Sequence, residues 1–395
     1  MSRRLRPEAL LVALQSALPD SKETIALHEP RFSGNEWAYV KECLDTGWVS
    51  SAGRFVDRFE ERLADYTGAS YAVAVSTGTA ALHIALILAG VQPDDEVIVP
   101  SLTFVATANA VRYCGAVPHF ADVEYATLGL DPHKLRRYLH EIAEVAYGYC
   151  YNKQTGRRIK AVVPMHTFGH PVDLDPLAEL CGLYRLELVE DAAESLGSFY
   201  KGRHTGTFGK LAAFSFNGNK IITTGGGGAI VTNDAELARQ AKHLTTTAKT
   251  PHPWAYVHDR VGFNYRLPNL NAALGCAQLE QLDAFVAGKR KLARRYETAL
   301  GGIKGVGLFR EPGFARSNYW LNTLLLDEPQ LAARDEVLEL LNAHGIMCRP
   351  AWVPMHKLPM FANSPKDDLA VTDNLERRMI NIPSSVYLGA GDAKA

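Results

Sequence analysis

Apolar positions change their period repeatedly between Phe55 and Glu190. Phe55–Tyr66 carries them at three- and four-residue spacing, the signature of an amphipathic helix, whereas Tyr71–Val75 is a short continuous apolar run. The exchange recurs. Thr79–Ala89 reads as a helix of small residues, Glu96–Pro100 as a buried strand, Thr107–Cys114 as a helix and Val117–Asp122 as a strand. Ala161–Pro164 and Leu186–Glu190 are two more buried runs, with helical Leu174–Cys181 between them. Strands apolar on both faces, alternating with helices, predict an α/β domain on a largely parallel sheet. After Gly228 the pattern changes. Asn269–Leu300 predicts a long helix broken near Gly288, followed by a strand over Tyr319–Leu326 and a helix over Leu331–His344. Residues 245–260, rich in Thr, Pro and His, read as an irregular loop. Near the start, Leu10, Leu14 and Leu18 recur at helical spacing behind Pro7, so residues 7–19 predict an amphipathic helix that packs on the body or on a neighbour.

A chain of 395 residues is long for one core and suits a large domain with a smaller one. The boundaries predicted are a helical extension over 1–24, a large domain over 25–282 and a small α+β domain over 283–395. Forty-two basic and 43 acidic residues leave a formal charge of −1, so no global field favours nucleic acid or an anionic membrane. No apolar stretch reaches the roughly 18 residues that span a bilayer. The run Ala9–Leu14 is too short for a signal peptide, Glu8 adjoins it, and no cleavage site follows. Six scattered cysteines, with no CxxC pair, suit a reducing cytoplasm and no zinc site.

Three segments fall at the carboxyl ends of predicted strands, where α/β sheets bind ligands. Ser76-Thr77-Gly78-Thr79 passes from strand through a glycine turn into a helix, whose free amides suit an anion. A plain N-cap explains it equally. Leu188-Val189-Glu190-Asp191-Ala192-Ala193-Glu194-Ser195 delivers acids at a strand mouth, where a carboxylate can hold a pyridine nitrogen protonated or can cap a following helix. Phe214-Ser215-Phe216-Asn217-Gly218-Asn219-Lys220 precedes Gly225–Gly228 and places a lysine among apolar residues and glycines. Burial favours the neutral amine that imine chemistry needs. The bland alternative is a surface hairpin with one solvated lysine.

Other sites fail on spacing. No GxxxxGK[ST] and no strand-linked GxGxxG occurs, and Ser101 and Ser215 lack a nucleophile elbow. His166 and His170 have helical metal-ligand spacing, but Gly169 and Pro171 oppose a helix there, so no metal is expected.

These segments, in this order, resemble the DegT/DnrJ/EryC1/StrS sugar aminotransferases over about Leu27 to Pro383. Thr46–Ser51 resembles the loop at the mouth of the site, Ser76–Leu82 the phosphate cup and Pro100–Thr107 the ring-stacking segment. Pro164–Gly169 matches a strand-end loop, Glu190–Ser195 the pyridine-binding acid, Ser215–Lys220 the lysine, and Val261–Asn269 a loop crossing to a partner subunit. The resemblance implies a type I fold that binds pyridoxal 5'-phosphate (PLP), with a mostly parallel seven-stranded sheet. It implies Lys220 as the Schiff-base lysine, Asp191 on the pyridine nitrogen and Phe104 stacked on the ring. Gly78, Thr79 and Ser215 would hold the phosphate, joined by Asn264 of the second subunit of a homodimer with shared sites. Glu194, where relatives often carry Gln or His, would lie near the ring hydroxyl. Trp48, His166, Arg31 and Arg349 are candidate substrate contacts, the two arginines because guanidinium suits phosphate.

The implied reaction moves an amino group from L-glutamate to C4 of a nucleotide-linked 4-keto-6-deoxy sugar, for cell-surface glycan synthesis in the cytoplasm. Phe216–Gly228 looks most like the branch acting on UDP-linked 2-acetamido sugars. A GDP-4-keto-6-deoxymannose 4-aminotransferase of the perosamine type is the alternative. Lys220 argues against the 3-dehydratase relatives, which carry histidine there. A non-catalytic regulator of this fold would need neither Lys220 nor Asp191.

Overall fold

The computed structural model describes residues 5–20, 23–327 and 333–390. Seven of the nine strands of the main sheet lie in the order Tyr71–Val75, Gly228–Thr232, Leu211–Ser215, Glu187–Asp191, Arg158–Val162, Glu96–Pro100, Val117–Ala121. All run parallel except Gly228–Thr232, which is antiparallel to both neighbours. That one reversal positions the site. It sets Gly228 opposite both Val75 and Ser215, so the start of this strand meets the ends of its neighbours at one sheet edge.

Alternate residues of the strands enter opposite cores, which is why the strands read as continuous apolar runs. Val73, Val75, Ala213 and Ile230 pack with the helix Gly78–Leu88, while Ala74, Ala212, Phe214 and Val231 pack with the helices Arg54–Thr67 and Asn269–Leu279.

A second, antiparallel sheet joins Val306–Leu308, Asn322–Leu326, Met379–Ile382 and Arg349–Pro350. The helix Leu282–Leu300 lies against it, and so does the first helix, Pro7–Ala17. Leu10 and Leu14 are fully buried there beside Leu292 and Tyr296. Burial of each such leucine contributes about 1.5–3 kcal/mol. The N-terminal helix therefore completes the core of the C-terminal unit of its own chain.

Several elements differ from the sequence expectation. The helix expected over Asn269–Leu300 breaks at Glu280–Gln281, not near Gly288. At the break the Glu280 carboxylate accepts from Arg62, Asn35 and Tyr39, whereas Gly288 lies within the second helix with Gly389 close against its backbone. An antiparallel hairpin, Ala143–Ala146 with Tyr149–Asn152, adds to the main sheet where no strand was expected. Its exposed alternation is weak, and it is held from within by Asn152 Nδ2 donating to buried Glu96 at 2.8 Å. The 245–260 segment contains a short pairing of Lys249–Thr250 with Val257–His258. The strand expected from Tyr319 begins at Asn322, because Tyr319 has φ +49°. The helix expected over Leu331–His344 is found as Ala333–Ala343, with Leu331 and Ala332 outside the described residues. Met1–Arg4, Ser21 and Lys22 of the expected extension lie outside them too, as do residues 391–395.

Candidate active site

A cavity of about 280 Å³ opens where the carboxyl edge of the main sheet faces the C-terminal unit. One end is built around a helix start. The helix Gly78–Leu88 starts there, capped by Thr77 Oγ1, which accepts from Ala80 N at 3.0 Å. The amides of Gly78 and Thr79 precede the first helical acceptor, so they point outward unpaired, at the positive end of the helix dipole. The Ser215 hydroxyl stands beside them, and a Cβ on Gly78 would lie 2.7 Å from the Ser215 Cβ. A Cβ on Gly228 would stand 2.5 Å from the Thr77 carbonyl carbon, so glycine is what lets that strand pass the helix start. The N-cap reading holds for Thr77, and the cap leaves the Gly78 and Thr79 amides and the Ser215 hydroxyl as donors an anion could use.

Asp191 ends the strand Glu187–Asp191 with its carboxylate buried. Oδ2 accepts from Thr107 Oγ1 at 2.7 Å and Oδ1 from Ala193 N at 3.2 Å. Burial raises its pKa above the ordinary carboxylate value, against the Thr107 hydrogen bond. No helix follows Asp191, so it is not a helix cap. Such an acid is stabilised as the anion by a cation placed against it.

Lys220 is not a solvated surface lysine. Its side chain is 12% exposed, Nζ lies 3.2 Å from Glu194 Oε1, and the Trp320 ring centroid is 4.0 Å away. Glu194 Oε2 accepts from Phe168 N at 2.9 Å. Burial lifts the Glu194 carboxyl to about 7, against the opposing charge of Lys220. Phe104, 49% exposed, presents its ring to the cavity from the start of the helix Val105–Tyr113.

Five expected contacts stand apart from this cavity within one chain. His166 is fully buried behind it, with Nε2 donating to Glu190 at 3.1 Å and Nδ1 accepting from Val172 N, so it cannot touch a substrate. Its neighbour Met165 lines the cavity instead. Trp48 borders a separate surface hollow with Arg54 and Asn269. Arg349 is exposed on a short edge strand, and the Arg31 carbonyl accepts from Gln278. Asn264 is exposed beside Thr246 and outside the lining. His170, the second half of the apparent metal pair, lies between the rings of Phe309 and Tyr319, and burial lowers its pKa to about 3. Among the described residues no group of three potential ligands could hold a metal ion, and no helix is long and apolar enough to cross a membrane.

Trp320 and Trp352 also line the cavity, and sequence reasoning passed over both. Trp320 falls just before a strand, at a backbone turn with no local signal. Trp352 lies between Pro350 and Pro354, which mark only an extended segment.

The arrangement fits PLP. Free amides and hydroxyls suit its phosphate, a buried acid suits its ring nitrogen, and an enclosed amine lies between them. The fold and this donor set define a PLP-dependent aminotransferase of the type I fold. A family model described as the DegT/DnrJ/EryC1/StrS aminotransferase family matches residues 30–395, and the chain belongs to that family. The chain is 40% identical over 371 residues to GDP-perosamine synthase of Caulobacter vibrioides, covering 93% of this chain and 95% of that one. It is 37% identical over 361 residues to GDP-perosamine synthase of Vibrio cholerae, covering 91% and 94%. Among solved structures, the aminotransferase TlmJ from Streptoalloteichus hindustanus superposes with a TM-score of 0.82 at 30% identity, covering 91% of this chain and 93% of that one. DesI in the presence of its TDP-sugar product gives 0.81 at 28%, covering 95% and 91%.

Proposed function

We propose that this enzyme transfers the amino group of L-glutamate to C4 of a GDP-linked 4-keto-6-deoxyhexose. The observation that carries the reading is the enclosed Lys220 amine, set between Glu194 and Trp320 within one cavity with Asp191. Likeness to two GDP-perosamine synthases moves the nucleotide from the UDP expected from sequence to GDP. When bound, PLP supplies an electron-withdrawing ring that stabilises negative charge on the carbon being deprotonated.

The chain's own residues do the rest. Gly78, Thr79 and Ser215 anchor the phosphate, and Phe104 seats the ring. Asp191 holds a proton on the ring nitrogen, because its buried charge needs a cation. Lys220 Nζ carries the proton between donor carbon and cofactor, and later to the sugar carbon. Glu194 lies within hydrogen-bond reach of that nitrogen and can hold or release a proton near neutrality. Trp320, packed over the Lys220 amine, excludes water from the reacting atoms.

Phosphate retention needs more donors than this cradle offers, since Lys220 is the single basic side chain in the lining. Asn264 of a second subunit would complete it in a shared-site homodimer. The test is product mass. PLP-loaded protein is offered L-glutamate with GDP-4-keto-6-deoxymannose, or with UDP-2-acetamido-4-keto-6-deoxyglucose. A mass change fitting the keto oxygen replaced by an amino group and a hydrogen on the GDP sugar supports the reading. Amination of the UDP sugar alone returns it to the UDP branch.

A further inference from the structure

The two tryptophans of the cavity differ in what they have left to give. Trp320 is 5% exposed, its N–H donates to the Asn219 carbonyl at 2.7 Å, and its ring faces the Lys220 ammonium. It is fully engaged in seating the lysine. Trp352 is half-buried and lines the cavity, and its indole N–H makes no hydrogen bond among the described residues. Phe168 packs against it at 4.8 Å between centroids, tilted 35°. Phe104 lies farther off, at 6.4 Å and 57°.

Trp352 is also held in place. Three residues on, Met355 N donates to the Ser101 carbonyl at 2.8 Å, and His356 Nδ1 pairs with Ser101 Oγ at 2.7 Å. Ser101 begins the loop that carries Phe104. Phe168 in turn has φ +54° and is fixed by the Glu194 carboxylate on its N–H. The indole is therefore preorganised from both sides, so binding against it costs little conformational entropy.

Asn217 and Asn219 also line the cavity, where Asn217 Nδ2 donates to Asn219 Oδ1 at 3.2 Å. Trp352 differs from them in offering a flat aromatic face with a free donor at its edge. That combination matches a pyranose ring, which has an apolar C–H face and oxygen acceptors around its rim. Aromatic faces are negative and attract such polarised C–H groups. L-Glutamate has no comparable face.

We propose that Trp352 is the specificity-determining contact for the acceptor, stacking on the hexose ring and donating its N–H to a sugar oxygen. This rests on the sugar aminotransferase reading. The two half-reactions separate its effects. In the PLP-loaded enzyme, Trp352→Ala should leave the glutamate half-reaction, followed by cofactor absorbance, within about twofold, and raise KM for the keto sugar about tenfold or more. Trp352→Phe keeps a stacking face, removes the donor and should fall between. Calorimetry with GDP-mannose and GDP gives a second readout independent of turnover. The wild type should bind GDP-mannose more tightly than GDP, and Trp352→Ala should lose that increment while still binding GDP. An unchanged increment, or equal losses in both half-reactions, overturns the proposal. If the increment is lost in Trp352→Ala but glutamate never alters the wild-type cofactor spectrum, the transaminase reading fails and the sugar contact stands.

Discussion

The two sides of the cavity are built in different ways. The sheet side comes from strand ends: Ser76–Thr79, Asp191 and Ser215, together with the turn that carries Lys220. Each of its groups is placed by backbone geometry within a few residues. The facing side comes from Trp320 and Trp352, which belong to the C-terminal unit and reach the cavity only because that unit docks where it does. Chemistry that depends on a strand end and a helix start is local. A wall that depends on docking is long-range. If this division is right, the sheet side carries bond making and breaking, and the far side carries enclosure and recognition.

The strongest test of the division is Lys220→Ala. Loss of the amine that moves the proton should lower turnover by on the order of 10³-fold or more. Lys210→Ala should have no comparable effect, since Lys210 pairs with Glu187 at the surface. Borohydride reduction and peptide mapping should find the pyridoxyl group on Lys220, and a label on Lys210 would break the comparison. Asp191→Asn comes next. Without a fixed negative charge the ring nitrogen loses its proton, and turnover should drop about 10²-fold while the fold is retained by circular dichroism. Near-normal activity would reduce Asp191 to a structural acid bonded to Thr107.

The third test asks whether the sheet side is complete within one chain. Asn264→Ala should weaken cofactor retention about tenfold. Mixing Lys220→Ala with Asn264→Ala chains should restore activity above both parents, because one heterodimer site then carries neither lesion. Heterodimers that form without recovery would place Asn264 in its own chain's site.

The smallest effect concerns Glu194, the acid that ties Lys220 to Phe168 and so links the two sides. Its folded pKa, about 7, lies above the ordinary carboxyl value. The protonated form is therefore favoured by folding. That contribution is complete below about pH 4 and is lost as pH rises toward 7. The cofactor-free protein should lose thermal stability across this window, and Glu194→Gln should flatten the loss. Equal slopes in the two proteins would remove Glu194 from the linkage.

Much of this was legible in the chain. Continuous apolar runs exposed the strands because both faces of the sheet are covered, and the lysine stood out by its glycine-rich setting. His166 misled because the residue beside it, Met165, is the one that faces the cavity. A strand end alternates its side chains, and sequence alone did not say which parity faced the ligand. Gly288 misled because glycine in a helix can mark close packing as well as a break. Here the neighbour is Gly389, about a hundred residues away.

By itself, the sequence indicated the alternation of strands and helices over Phe55–Glu190 and the family, and it singled out the segments that carry Gly78, Asp191, Ser215 and Lys220. Those features are set by local backbone conformation and local burial, which short stretches of residues encode. Only the tertiary structure decided that the first helix completes the C-terminal core, that Glu194 meets Lys220, and that Trp320 is engaged while Trp352 keeps a free donor. Each of these depends on packing between segments far apart in the chain, where no short-range pattern specifies which side chains will meet.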